Sequence, residues 1–395
     1  MPSRRAVIAG GVGLALAALG YRAWDRGVLT GATGPAYTPW DEWRGSETEG
    51  SQRPLRAGIL AASPHNTQPW LFGGSGHTIE VLADRARHLG TFDPFRREMH
   101  LGLGCAIENF VCAARVFGIA TEVQPAPGRL ELSPSPQPVL AASIALGTSQ
   151  ATPDVLFDAI PRRHTNRGAY RDEPPAPERL RKLVDLVSGP DARVVFVSDA
   201  GARRDLGAVI VKATEWIITD LDMSMDSFRW LRTGRRDVLA SRDGVTIDAA
   251  GISRLMTIAA KLAPDAGAAT TDRIWLDTTR DVHVATSPVF GMILVRDRLD
   301  MGQAIAAGRA WQRLHLALTA QGLAAQPLNQ PVEMIDRHQM LGRRDEFSPA
   351  LTALAATPGW QPTFVFRLGY ASREASRSPR RPLSEVLRAH PPVAG

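Results

Sequence analysis

The chain repeats part of itself. Residues 104–120, GCAIENFVCAARVFGIA, align without gaps with residues 308–324, GRAWQRLHLALTAQGLA. Both begin on glycine, and both carry apolar residues at helical spacing: Ile107, Phe110, Ala114 and Phe117 against Trp311, Leu314 and Leu318. A strand pattern follows each, PVLAASIAL (138–146) and PTFVFRLGY (362–370). Upstream, LRAGILAASPHN (55–66) aligns with LRKLVDLVSGPD (180–191), and each leads to a strand ending in aspartate, IEVLAD (79–84) and VVFVSD (194–199). The order helix, strand, central helix, strand occurs twice, which predicts two tandem halves, 55–150 and 151–395. The halves differ between the first strand and the central helix. Asp84 to Gly104 is short, whereas Asp199 to Gly308 is long and carries helical patterns of its own. An insertion of about residues 205–285 is a candidate lid over a site.

With 395 residues and 44% hydrophobic content, the chain can build a large core. The net charge of +6 admits nucleic acid, an anionic surface or a phosphorylated ligand. Nucleic acid is set aside, because the arginines come as scattered pairs with no basic stripe interleaved with aromatics. Cys105 and Cys112 would sit two turns apart on one helix, about 10 Å between Cα atoms. That is too far for a disulfide, so both read as buried small hydrophobes.

MPSRRAVIAGGVGLALAALG begins basic and continues as an apolar run from Ala6 to Leu19. The run is shorter than the roughly 20 residues of a spanning helix and matches the apolar region of a signal peptide. Ser3-Arg4-Arg5 resembles the twin-arginine export motif, with Val7 where that motif prefers an aromatic. Residues 1–25 are therefore taken as a signal or an uncleaved anchor standing outside the fold, with export across the cytoplasmic membrane. The alternative is a buried N-terminal helix, which its glycines oppose. Residues 26–54 read as a linker or surface arm, pinned by Trp40 and Trp43.

The strongest basic cluster is PRRHTNRGAY (161–170). It suits a phosphate monoester, or else is a solvated basic turn. No zinc-ligand spacing, no nucleophile elbow and no phosphate-binding P-loop is present. The histidines, taken singly, read as hydrogen-bonded structure. No catalytic side chain and no metal ligand set is assigned.

ASPHNTQPW (62–70) resembles the Asn-x-Gln-Pro-Trp signature of the nitroreductase family of FMN-binding flavoproteins. RRHTNR (162–167) is similar to that family's phosphate turn, GLAAQPLNQPVE (322–333) to its segment after the central helix, and SPRRPL (378–383) to its C-terminal arginine element. The fused arrangement resembles the Acg-like branch. The resemblance implies an α+β, nitroreductase-like α/β sandwich, its two halves forming an intrachain pseudo-dimer with a helical lid-like insertion in the second. It implies FMN as cofactor. Ser63, Pro64 and Asn66 would touch the ring or ribityl chain. Arg162, Arg163, Thr165 and Arg167 would hold the phosphate, with Arg380 and Arg381 completing the clamp. Gln326, Leu328 and Asn329 would line the isoalloxazine side.

The first half lacks an arginine turn before LRAGIL, and the second has SGPDARVVF in place of ASPHNTQPW. One complete composite site is expected, the other being degenerate, in a monomer acting as a pseudo-dimer. The implied activity is hydride transfer from NAD(P)H through flavin N5 to a nitro or quinone-type acceptor. Two alternatives stand beside it: a protein that sequesters flavin under a closed lid, and one whose sites have both decayed.

Overall fold

The computed structural model describes residues 17–74 and 76–388. The first half holds strands β1 (Trp70–Gly73) and β2 (Thr78–Ala83), helix α1 (Arg97–Val116), and strands β3 (Ile119–Pro125) and β4 (Val139–Thr148). After helix α2 (Pro177–Val187) comes β5 (Arg193–Val197). The insertion follows, with helices α3 (Ala200–Thr219), α4 (Leu221–Phe228), α5 (Arg254–Leu262) and α6 (Ala268–Thr278). The second half resumes with β6 (Val289–Val295), α7 (Met301–Ala320), β7 (Ala324–Pro327), α8 (Gln330–Met340) and β8 (Gln361–Gly369).

Two four-stranded antiparallel sheets result, ordered β1-β2-β4-β3 and β5-β6-β8-β7. In each, the strands run first, second, fourth, third across the sheet, with the long helix connecting the second to the third. The architecture is α+β with two like halves. β2 alternates buried and half-buried residues, as a strand with one covered face does. Every residue of β6, VFGMILV, is buried, as in a central strand covered on both faces.

The long helices cross each other at the centre of the molecule. Each has 20 residues, and they match in register, so Leu101 corresponds to Ile305 and Gly104 to Gly308. A Cβ on Gly104 would collide with the Ile305 carbonyl, and one on Gly308 with the Leu101 carbonyl. The contact is reciprocal, residue for corresponding residue, as at a twofold interface. An aspartate satisfies N–H groups in the first turn of each helix, although only Asp300 stands at the N-cap position. Asp93 accepts from the backbone N–H of Glu98 and Met99, and Asp300 from that of Gln303.

The structure corrects one strand of the repeat. IEVLAD lies in the second strand of its sheet, and VVFVSD in the first strand of the other. The insertion consequently opens between β5 and β6, at the place of the tight β1–β2 hairpin. SPVFGMILVR (287–296), just beyond the insertion, is core strand β6. Both strands alternate and both end in aspartate, and periodicity alone carries no information on sheet order.

The basic start and most of the apolar N-terminal run lie outside the described residues. Residues 17–25, expected outside the fold, are helical and dock on the insertion. Arg22 donates to the Leu262 carbonyl at 2.9 Å, and Arg26 pairs with Asp265. Among the described residues no helix is long and apolar enough to cross a membrane. Trp40 is buried and its Nε1 donates to the Ser378 carbonyl at 2.8 Å, which ties residues 26–54 to the C-terminal segment, whereas Trp43 is only half-buried.

Candidate functional site

A cavity of about 360 Å³ lies beside α1, between the ASPHNTQPW loop, the 163–167 turn, β7 and the insertion. The loop is strained. His65, Asn66 and Gln68 all adopt left-handed backbone, with φ of 45°, 56° and 50°. Such conformations persist only where the surroundings over-determine them, and here the amides do so. Gln68 N–H donates to Ser63 Oγ at 3.0 Å. Gln68 Nε2 donates to the Arg242 carbonyl at 2.8 Å, and its Oε1 accepts from Arg381 N–H at 2.8 Å. Asn66 Nδ2 donates to the carbonyls of Pro379 at 3.0 Å and Gly244 at 3.2 Å, while its Oδ1 accepts from Arg380. The loop is thereby tied to the insertion and to the C-terminal segment.

Ten of the expected residues line this cavity: Ser63, Pro64 and Asn66 from the loop, Arg163, Thr165 and Arg167 from the turn, Gln326, Leu328 and Asn329 from β7 and beyond, and Arg380. Two do not. Arg162 is exposed, its Nε directed at the Asp158 carbonyl. Arg381 turns toward the Gln68 and Glu385 carbonyls and braces the loop. In each arginine pair one guanidinium enters the cavity and its neighbour faces away; Arg162 ends a short helical turn and Arg163 is extended, so the chain changes course between them. Asn66 also has protein partners. Its amide is fully engaged, so it positions Arg380.

Arg163 and Arg380 are 2% and 3% exposed. Their protein partners are carbonyls and the Asn66 amide oxygen: Leu60 for Arg163, and Leu60, Ala61 and Pro379 for Arg380. Among the described residues neither has a carboxylate partner, and the Nε of each is buried without a hydrogen bond. Burial pushes the Arg163 pKa down to about 10. Burial together with repulsion from Arg163 pushes that of Arg380 well down. Guanidinium does not give up its proton in proteins, so these shifts measure how unfavourable the two buried charges are. Arg167, partly exposed beside them, donates to the Ala249 carbonyl at 3.1 Å.

The walls are mostly apolar: Leu101, Trp311, Leu328 and Phe364 from the halves, and Phe228, Leu231, Ile274 and Trp275 from the insertion. The insertion covers the cavity, as a lid would. Sequence reasoning missed several polar liners, among them two histidines and two glutamates. His65 and His164 were read as structure, yet both line the cavity, and burial lowers their pKa to about 4 and about 3. Glu98 and Glu333 carried no motif at all. Cys105 and Cys112 are buried free thiols, as expected, and burial pushes Cys105 up to about 12.

No family model matches this chain. It is 27% identical over 343 residues to the Mycobacterium tuberculosis (H37Rv) protein named "Putative NAD(P)H nitroreductase Rv3131", covering 84% of this chain and 89% of that one. The chain resembles a named nitroreductase along most of its length. A second M. tuberculosis protein, "Putative NAD(P)H nitroreductase acg", is 26% identical over 174 residues, 43% of this chain and 50% of its own. Among solved structures, the FMN-dependent nitroreductase NfnB from Mycobacterium smegmatis, in complex with NADPH, is 21% identical. It covers 60% of this chain and 98% of its own with a TM-score of 0.38, too loose a likeness to locate a ligand. The sequence similarities support the nitroreductase family.

Proposed function

We propose that this chain is an FMN-dependent oxidoreductase of nitroreductase type, related to the Acg-like branch, with one flavin site per chain. The carrying observation is the pair of buried guanidiniums, Arg163 and Arg380, without a carboxylate between them. Buried charge without a counter-ion is strongly unfavourable, so the site calls for an anion. A phosphate monoester fits the guanidinium fork best. The residues present suit FMN: Arg163, Arg380, Thr165 and Arg167 for the phosphate, and Ser63, Pro64, Gln326, Leu328 and Asn329 with the apolar wall for the ring system.

Bound there, FMN would supply hydride chemistry between a nicotinamide donor and a nitro or quinone-type acceptor. The chain's own part is to bind, to orient and to exclude water. The similarity to proteins named NAD(P)H nitroreductase supports the donor. Calorimetric titration with FMN tests the reading, with one equivalent per chain expected; no binding, or two equivalents, overturns it. Anaerobic NADPH should then bleach the bound flavin. The cover formed by Phe228, Leu231 and Trp275 favours one second reading, flavin sequestration, and a bound flavin that NADPH leaves unbleached would select it.

The twin-arginine resemblance adds export to the periplasm or the outer face of the cytoplasmic membrane, with the chain working as a monomer. Arg4→Lys with Arg5→Lys should retain the protein in the cytoplasm, and unchanged export would refute that route.

A further inference from the structure

Glu98 and Glu333 belong to the first turns of α1 and α8, far apart in sequence, and both line the cavity. Each is 6% exposed, and each shifts the other's titration as a hydrogen-bonding neighbour does. Ionised carboxylates are acceptors only, so two carboxyls pair only around a proton. Oε2 of Glu333 is buried with no hydrogen-bond partner among the described residues, a position costly for an ionised carboxylate.

The surroundings keep that proton in place. Four buried carboxyls, Asp93, Glu98, Glu333 and Asp336, meet two guanidiniums, Arg97 and Arg298. Asp336 takes both, at 2.6 Å from Arg97 and 2.5 Å from Arg298. Arg97 lies 3.5 Å from Glu98, and Asn329 donates to Glu98. Asp93 is turned to the helix N–H groups. The glutamate pair is left with the surplus negative charge, and burial pushes both of its pKa values up, and that of Asp93 to about 7.

Glu98, Leu101 and Cys105 share one face of α1, and the Cys105 thiol lies within the field of Arg163. The acid pair therefore stands about 10 Å along the helix from the arginine end. An elongated ligand with its anion on the arginines would reach toward the pair.

We propose that Glu98 and Glu333 form a shared-proton pair that supplies the proton for reduction of the acceptor. This rests on the flavin reading above. When a quinone-type acceptor is reduced, the nicotinamide donor loses one hydride, and the acceptor gains that hydride and one proton. The pair's O–H bond breaks and the acceptor's O–H bond forms. The pair is left one charge more negative until solvent returns a proton.

Infrared spectroscopy of the ligand-free protein at neutral pH tests the first element. A protonated-carboxyl band should be present in the parent protein and lost in both Glu333→Gln and Glu98→Gln; its absence from the parent protein overturns the proposal whether or not flavin binds. In the FMN-loaded protein, Glu333→Gln should slow acceptor reduction by roughly 100-fold more than it slows reduction by NADPH. The parent rate should fall as pH rises through the pair's titration, and the variant's should be flat there. A variant that keeps the parent pH profile overturns the proposal. Should Glu333→Gln fail to fold, Glu98→Gln answers the same question.

Discussion

On one side of the crossed helices, Ser63, Pro64 and Asn66 face Gly102 and Cys105 of α1. On the other, Ser188, Gly189 and Asp191 border a second cleft of about 270 Å³ with Ala306 and Arg309 of α7, the positions that the repeat pairs with those of the first. Both clefts contain arginines. In the first, Arg163 and Arg380 lack a carboxylate partner. In the second, Glu108 takes both Arg309 and Arg313, at 3.0 and 2.6 Å, and is itself 1% exposed. The second cleft has neutralised its cations internally, and the first has left that task to a ligand. An arginine count would not separate them; the position of one carboxylate does.

The comparison can be broken at several points. The largest effect should come from Arg163→Ala combined with Arg380→Ala, where two charge-assisted bonds are lost and FMN binding should weaken by about 4 kcal/mol in a calorimetric titration. Arg309→Ala should leave FMN affinity unchanged. Equal losses from the two clefts would mean that the ligand site has been misplaced. Gly308→Ala strikes the axis common to both and should destabilise the fold by about 3 kcal/mol in urea denaturation. Glu108→Gln should lower stability by about 2 kcal/mol, since it uncouples two half-buried arginines. It should also make the protein newly responsive to phosphate, seen as a larger rise in Tm with added phosphate than the parent shows. Asn66→Ala should weaken FMN by about 1–2 kcal/mol through loss of the Arg380 positioning bond.

A separate effect concerns pH. The His65 pKa is held at about 4 in the fold, below the ordinary 6.5. Between those values the unfolded chain takes up a proton that the folded one refuses, so stability falls as pH drops through that window. The slope is about 1.4 kcal/mol per pH unit for each such group. His65→Asn, which tolerates the left-handed backbone, should reduce the acid slope by that amount in denaturation curves taken between neutral and mildly acidic pH.

Much of this was legible in the sequence. The register of the two central helices was right to the residue, because apolar spacing on a long helix fixes phase. Ten of the twelve proposed cofactor contacts face one cavity, because short motifs carry their turn geometry with them. The exceptions have physical reasons. Arg162 and Arg381 sit next to the residues that matter, and an arginine pair in a motif does not say which guanidinium turns inward. VVFVSD was paired with the wrong strand because order across a sheet is set by tertiary packing. Glu98 and Glu333 were invisible because their meeting is a product of α1 packing near α8.

The reciprocal crossing of α1 and α7 has one further consequence. In a dimer of identical chains, every substitution appears in both clefts, so neither can change without the other. Joining the two halves in one chain removes that constraint. Glu108 and its counterpart Gln312 show the freedom in use: one position locks a pair of arginines, while its equivalent donates a hydrogen bond to Asn109 at 2.7 Å. An insertion as long as residues 198–288 could likewise be accepted over one cleft alone, with no need for a mirror copy to fit on the far side.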